Sequence, residues 1–298
     1  RIFDSLLFWK YDILFSYFYR YSFFAALLAK CFGKKTYFTG GIDSLDSDYA
    51  SAFNYKIQAL FFKLCYWVAD SCIIVSQSDL KNIFKVSSLK KKLSYSEHVI
   101  NTKLFIADVP KEKIFTSIVW MGDEGNVVRK GVDKALQIFA ELKKIPEFVD
   151  YRFVIIGRKG EGEVLVRSII DKYNLKGSVE LKGEVSEEDK INLLKQSKYY
   201  FQLSLYEGFG LAALEALCAN NIIIHSGKGG LANPIYKEQL LFDIDNDFDS
   251  ELLKLVNKLA CFTPITSYDN LLEYYDIQRR KDDFEAIIVN GKSNYKLK

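Results

Sequence analysis

The chain reads as an α/β protein built on parallel, doubly wound sheets in two domains, and three observations carry that reading. Short β-branched and aromatic runs alternate with apolar stretches of helical period, the pattern of strands joined by crossover helices. The 298 residues suffice for two domains of roughly 100 to 200 residues each. A hydrophobic content of 49% against 27% charged residues provides for large cores and leaves little room for extensive disorder.

The elements follow in order. A helix is expected over Phe15 to Cys31, closed by Gly33, then a short strand over Lys35 to Thr39 that ends at Gly40-Gly41-Ile42-Asp43. Ser51 to Ala69 has the period of a long helix, Ser71 to Val75 that of a buried strand, and Ser76 is placed to cap a helix starting near Ser78. The pattern loses its period around Val109 to Lys113, which sets the domain boundary at 112/113. Beyond it come a strand over Ile114 to Met121, a loop over Gly122 to Lys130, a helix from Val132 to Lys144 and a strand over Tyr151 to Ile156. A helix over Glu163 to Tyr173, a strand over Val179 to Lys182, a helix over Ser186 to Gln196 and a strand over Tyr199 to Leu203 continue the alternation. The last pair is a helix after Gly210 running to Cys218 and a strand over Ile222 to His225, followed by a turn at Gly227 to Gly230. The expected division is a first domain over 1–112, a second over 113–265 and a helical segment over 266–298.

Charge and residue usage exclude several classes of function. Lys+Arg 41 against Asp+Glu 38 gives a net charge of +3, too weak a bias for a nucleic-acid binder that neutralises many phosphates. The five cysteines contain no C-x-x-C pair and there are two histidines, His98 and His225, so no Cys/His metal cluster is expected. Reduced thiols fit a cytoplasmic setting. The most apolar stretch, Asp12 to Lys30, is interrupted by Arg20 and several tyrosines and falls short of a membrane span. Its many aromatic residues, including Phe8, Trp9, Phe18, Tyr21 and Phe24, suit peripheral contact with a membrane interface; burial in a core is the alternative. The run Leu89-Lys90-Lys91-Lys92-Leu93 is either a solvated face or a phosphate or lipid patch.

The most informative segment is Ser204-Leu205-Tyr206-Glu207-Gly208-Phe209-Gly210-Leu211, continued by Ala212-Ala213-Leu214-Glu215. It sets one carboxylate in a loop after a strand, two glycines at a helix entrance and a second carboxylate just over one turn inside. Ligands of doubly wound sheets lie outside the carboxyl ends of the strands, and free helix N–H groups attract phosphate. Gly208 and Gly210 let the backbone approach a diphosphate closely, whereas two acids beside that diphosphate would repel it unless they face sugar hydroxyls. Glu215 is therefore expected on the ribose hydroxyls of a nucleotide and Glu207 on those of a second sugar; for Glu215 alone, a solvent-facing helix acid is the other reading.

The E-x(7)-E arrangement Glu207…Glu215, with its Gly-Phe-Gly-Leu-Ala-Ala-Leu interior, resembles the donor-site signature of family-four retaining glycosyltransferases of the GT-B fold. Arg129-Lys130-Gly131 resembles that family's K-G motif, and Val154-Ile155-Ile156-Gly157 its next strand and glycine. Ala69 to Ser76 and Val99 to Phe105 are similar to motifs near the end of its first domain. The resemblance implies two Rossmann-type domains, the first of them entered well inside by this chain. It implies a nucleotide-diphosphate sugar as donor in the second domain, a glycan or lipid-linked acceptor in the cleft beside the first, retention of anomeric configuration, and no cofactor or metal. Lys130 would neutralise the departing diphosphate, assisted by Arg129; both are otherwise an exposed helix-entry pair. Phe209 and Leu211 would line the donor site with Gly208 and Gly210.

Three departures stand out. The arginine that the family carries shortly before the K-G lysine is absent from Gly122 to Val128, so Arg129 is the candidate substitute. A histidine of the family is replaced by the Gly40-Gly41-Ile42-Asp43 form, which makes Asp43 either a contact to donor sugar or acceptor, or a turn acid. The glycine loop after the family's first strand has no counterpart. In the loop Gly157-Arg158-Lys159-Gly160-Glu161-Gly162, Gly157 and Arg158 are expected near the base or diphosphate, with a solvated turn as the alternative. Gly227 to Leu231 either closes over the nucleotide or is a flexible loop. The leading expectation is a retaining glycosyltransferase, and its rival is a protein that holds the nucleotide sugar without transferring it. A nicotinamide-dependent dehydrogenase is disfavoured, since no G-x-G-x-x-G follows a strand with an acid about twenty residues on.

Overall fold

The computed structural model describes residues 10–17, 19–40, 45, 51–86, 91–106, 109–262 and 269–290. The chain forms two compact units, one of residues 1–99 with 277–298 and the other of residues 100–276.

The first unit runs β1 (Ile13–Tyr17), α1 (Tyr19–Cys31), β2 (Lys35–Thr39), α2 (Ala52–Val68), β3 (Ser71–Ile74), α3 (Gln77–Val86) and β4 (Leu93–Tyr95). Among the described residues its four strands are parallel in the order β1-β2-β3-β4. Serines start two of the helices: Ser51 Oγ accepts from Asn54 N at 3.4 Å and Ser76 Oγ from Asp79 N at 3.1 Å, each satisfying an N–H that the first helical turn leaves open. Helix residues Ala26, Phe62 and Ile83 pack on Phe38, Cys72 and Ile74 of one sheet face. Tyr37 and Ile73 point to the other face, where Ile287 of the carboxy-terminal helix Ile277–Asn290 covers them. A strand buried on both faces reads as a continuous apolar run, which is why β3, with Cys72, Ile73 and Ile74, was plain in the sequence.

The expected helix start at Phe15 is corrected, because Ile13 to Tyr17 is a strand paired in register with Lys35 to Thr39. The Phe15 ring stacks on Tyr37 at 5.1 Å and on Phe284 at 5.3 Å. Both partners are distant in sequence, so helical periodicity of the local window carried no sign of them.

The second unit contains β5 (Glu112–Ile118), α4 (Glu124–Arg129), α5 (Val132–Leu142), β6 (Arg152–Ile156), α6 (Glu163–Lys172), β7 (Val179–Gly183), α7 (Glu187–Gln196), β8 (Ser197–Gln202), α8 (Leu211–Cys218), β9 (Ile222–His225), β10 (Leu240–Leu241), α9 (Phe248–Cys261) and α10 (Asp269–Tyr274). Among the described residues its six strands lie in the order β10-β9-β8-β5-β6-β7, all parallel. Counted from β5 this is the 3-2-1-4-5-6 order of a doubly wound Rossmann sheet, with its reversal between β5 and β8. Phe115 anchors the interior of the sheet, stacked on Tyr199 at 4.6 Å and on Phe201 at 5.1 Å.

Three further differences from the sequence reading have physical causes. The loop Gly122 to Lys130 contains the short helix α4, started by Asp123, whose Oδ1 accepts from Asn126 N at 2.6 Å. The second unit takes up the chain from Ile100 rather than 113, because Ile100 N donates to Tyr275 O at 3.0 Å and Ile100 and Phe105 join the Phe209, Leu214 and Tyr275 cluster. The carboxy-terminal region, expected as one helical segment over 266–298, is shared: α10 packs in the second unit, and Ile277–Asn290 belongs to the first. There Asp283 Oδ2 accepts from Ser96 Oγ at 2.9 Å and pairs with Arg279 at 3.2 Å.

Candidate functional site at the sheet reversal

At the reversal of a doubly wound sheet the connections on either side leave in opposite directions and open a crevice at the carboxyl ends of the strands. The segments leaving β5 and β8 meet there. Leu205 N donates to Arg129 O at 2.8 Å, and Gly131 lies so close to β8 that a Cβ on it would stand 2.0 Å from Leu203 O. Gly131 also has φ of +67°, a left-handed conformation that costs glycine no Cβ clash. The glycine of the K-G pair is thus what lets the preceding lysine reach the neighbouring strand's loop.

Lys130 Nζ lies 2.7 Å from Glu207 Oε2, with side-chain exposures of 20% and 16%. The same oxygen accepts from Gln202 Nε2 and from Ser204 Oγ, each at 3.1 Å. Gln202 and Ser204 are buried, and a relay behind them ties the acid to the sheet: Ile118 N donates to Tyr200 Oη, and Tyr200 Oη to Gln202 Oε1, both at 3.2 Å. Among the described residues the donors to Glu207 all sit on Oε2. Sequence reasoning found Lys130 and Glu207 but not Gln202 and Ser204; their signal is alternation along β8, where Tyr200, Gln202 and Ser204 fall on one side.

The stretch Glu207 to Gly210 is clamped from above by the loop after β9. Gly230 N donates to Glu207 O at 2.5 Å; a Cβ on Gly229 would lie 2.2 Å from Glu207 O, and one on Gly230 2.5 Å from Phe209 Cα. Gly227 to Gly230, expected to be a flexible turn or a flap, is therefore a tightly packed support that continues into a short 3-10 turn over Gly229–Ala232. Phe209 is buried and serves the core, with its ring 6.2 Å from that of Tyr275. Gly210 precedes α8 at φ +87°, and Tyr236 Oη donates to its carbonyl at 3.2 Å. Among the described residues no side chain caps α8, so its first-turn N–H groups beside Gly208 and Leu211 retain their capacity for an acceptor.

One turn further, Glu215 Oε1 pairs with Lys190 Nζ at 2.8 Å, both side chains being 16% exposed. Lys190 also pairs with the exposed Glu187 at 2.8 Å and lies 5.9 Å from the Phe105 ring centroid. Burial pushes the Glu215 carboxyl up from its ordinary range and the lysine offsets this only in part. Burial opposes the Lys190 charge, but two carboxylates outweigh it and hold the ammonium firmly protonated. Lys190 was not anticipated.

The remaining candidates divide. The Arg129 guanidinium is held by Asn126 Oδ1 at 3.2 and 2.6 Å from Nε and Nη2. Gly157, at φ +133°, packs against Val119 one strand out from the reversal, where Arg158 O accepts from Met121 N at 2.9 Å and the Arg158 side chain is exposed. Asp43 lies outside the described residues, as do Gly41 and Ile42. His225 and His98 are both held at about 4, below the ordinary histidine range, by burial, with a nearby arginine, Arg280, adding to the effect at His98. They are neutral near pH 7 and are structural in character: His225 Nδ1 accepts from Gly227 N at 3.2 Å, and His98 Nδ1 is bonded to Arg280. Among the described residues no group of three or more His, Cys, Asp or Glu is arranged to hold a metal.

With this geometry in hand, the resemblances to known proteins are specific. Residues 125–260, which include Lys130, Lys190, Gln202, Ser204, Glu207 and Glu215, match the family described as Glycosyl transferases group 1. A GDP-mannose:cellobiosyl-diphosphopolyprenol alpha-mannosyltransferase of Xanthomonas oryzae pv. oryzae is 32% identical over 163 residues, 48% of this chain and 40% of that protein. A phosphatidylinositol N-acetylglucosaminyltransferase subunit of Homo sapiens is 30% identical over 105 residues, 35% of this chain and 21% of that protein. The matched stretches thus span less than half the length of these relatives. Among solved structures, HepE of Anabaena in complex with UDP-glucose superposes with a TM-score of 0.76 at 12% identity, covering 97% of this chain and 81% of that one. Sucrose-phosphate synthase from Thermosynechococcus elongatus gives 0.71 at 19% identity over 97% and 74%. The chain therefore has the GT-B fold of glycosyltransferases, and its residues 125–260 carry a Glycosyl transferases group 1 domain.

Proposed function

We propose that the protein is a retaining glycosyltransferase that takes a hexosyl group from a nucleotide-diphosphate sugar and places it on a glycan or lipid-linked acceptor. The observation that carries this reading is the meeting of Lys130 and Glu207 at the β5/β8 reversal, 2.7 Å apart, beside the uncapped start of α8. The diphosphate takes the first-turn N–H groups of α8, which bear partial positive charge. Lys130 leaves Glu207 for the phosphate as the bond from the anomeric carbon to the diphosphate breaks and its electron pair departs with the nucleoside diphosphate. The acceptor hydroxyl forms the new bond on the same face of the sugar, and its proton passes to the departing phosphate. A positive charge placed where negative charge develops is the largest contribution a side chain can make here. Glu207, oriented by Gln202 and Ser204, offers Oε1 to the transferred sugar, and Glu215 accepts from the ribose. Neither a cofactor nor a metal has a part in this proposal.

The names of the relatives support the acceptor class, since one acts on a diphosphopolyprenol-linked glycan and another on phosphatidylinositol. Titration calorimetry with UDP, GDP and ADP tests the donor site. Glu215→Ala should weaken the preferred nucleotide by roughly ten- to a hundredfold, the worth of charge-assisted hydrogen bonds at about 1.5 to 3 kcal/mol; unchanged affinity would remove the nucleotide assignment. Because Asn126 holds the Arg129 guanidinium, a second reading, nucleotide-sugar binding without transfer, has a specific basis. Donor hydrolysis and transfer assays on the chain separate the two.

A further inference from the structure

The outward face of the α1–α2 layer differs from every other helical surface described in this molecule. On α1 and just beyond it, Tyr21, Phe24, Leu28 and Phe32 recur at helical spacing and are all exposed, Tyr21 to 81% and Phe24 to 72%. On α2 the exposed stripe is Phe53, Lys56, Leu60, Lys63 and Trp67, steps of three and four residues, with Phe53 at 73% and Trp67 at 74%. A groove of about 290 Å³ lined by Leu27, Lys30, Cys31 and Val68 opens between the helices beside Trp67 of the α2 stripe. Two exposed aromatic and aliphatic stripes on neighbouring helices leave more large apolar side chains in solvent than a surface that meets water alone needs.

The charges on this layer are of one sign. The two helices contain Arg20, Lys30, Lys56 and Lys63 and no aspartate or glutamate. Lys30 is matched by Asp70 at 2.8 Å, and among the described residues the other three have no acidic partner and set the field of the face. By contrast α6 and α7 of the second unit bear both signs outward, as in the Glu163–Arg167 and Glu187–Lys190 pairs. Lysines interleaved with Phe, Leu and Trp along one helix match a layer whose outer part is anionic and whose inner part is apolar. A second copy of the same face would bring cations against cations.

We infer that the α1–α2 face, through Tyr21, Phe24, Phe53, Leu60 and Trp67 flanked by Lys56 and Lys63, docks on the surface of an anionic phospholipid bilayer. Docking is interfacial: among the described residues no helix is long and apolar enough to cross a membrane. The inference stands on the first unit's own surface, whatever donor the second unit takes.

The experiment is co-sedimentation of the full chain with vesicles of phosphatidylcholine alone or with about 30% phosphatidylserine. Partitioning should be about tenfold or more stronger on the anionic vesicles and should fall as salt is raised. Phe53→Ser with Trp67→Ser, both on exposed positions, should cut binding to anionic vesicles at least about tenfold, while Lys56→Glu with Lys63→Glu should abolish the preference for anionic lipid. Circular dichroism and nucleotide titration identify any variant that fails to fold. Equal partitioning of the parent chain on both vesicles, no partitioning, or anionic binding unmoved by all four substitutions overturns the inference. So does self-association of the parent, seen by light scattering, that the serine variants relieve, because the face would then belong to a second copy.

Discussion

The E-x(7)-E segment begins and ends with an acid paired to a lysine, and the two pairs are built differently. Lys130–Glu207 joins the exits of two adjacent strands, and buried neutral donors, Gln202 and Ser204, fix the same carboxylate oxygen. Lys190–Glu215 joins two helices, and its lysine is shared with the exposed Glu187. Exposure does not separate Glu207 from Glu215, since both stand at 16%. What differs is the supply of donors: Glu207 has three, whereas Glu215 has one shared lysine and a carboxyl that burial raises. Glu207 is oriented by donors of the fold itself, whereas Glu215 is held by a lysine that it shares with Glu187.

The sharpest break in this comparison is Lys130→Ala against Lys190→Ala. Loss of Lys130 should lower kcat of sugar transfer by about a hundred- to a thousandfold, the cost of removing one charge-stabilising donor. Lys190→Ala should act mainly on nucleotide affinity, and equal kcat losses in steady-state assays would collapse the distinction. Next in size is the pH response of nucleotide affinity. Glu215 titrates above the ordinary carboxylate range, so affinity should start to fall on acidification at a higher pH than a normal glutamate allows, and Glu215→Gln should flatten that limb in calorimetry. The smallest effect is on stability. A folded-state pKa above the unfolded value means that ionising Glu215 costs stability, a cost fully present above the folded value and absent below the unfolded one. Glu215→Gln should therefore raise the melting temperature by about 2 °C near neutral pH, with the gain vanishing toward the ordinary carboxyl range. Glu207→Gln, which strands Lys130, should lower it instead; a gain there would show that the two pairs are alike.

Much of the second unit was legible locally. The Ser186 cap, confirmed by Asp189 N donating to Ser186 Oγ at 3.0 Å, the start of α8 at Gly210 and the buried runs of β6 and β9 are each encoded within a few residues. The strand at Ile13–Tyr17 was not, since its aromatic residues also fit a helix until Tyr37 and Phe284 are placed beside Phe15. The site shows the same split. Lys130, Glu207, Gly210 and Glu215 announced themselves by spacing, whereas Gln202, Ser204 and Lys190 are ordinary polar residues whose meaning is their position.

The sequence by itself determined the alternation of strands and helices, the two glycines at the entrance of α8, and the two acids of the E-x(7)-E segment, because each depends on periodicity or spacing over a short stretch. Only the tertiary structure decided that Lys130 meets Glu207 across 77 positions, that the Gly229-Gly230 turn clamps the Glu207 to Gly210 loop, and that the helix Ile277–Asn290 returns to the first unit's sheet. Those contacts follow from strand order, and strand order is set by how whole faces bury one another, which no local window contains.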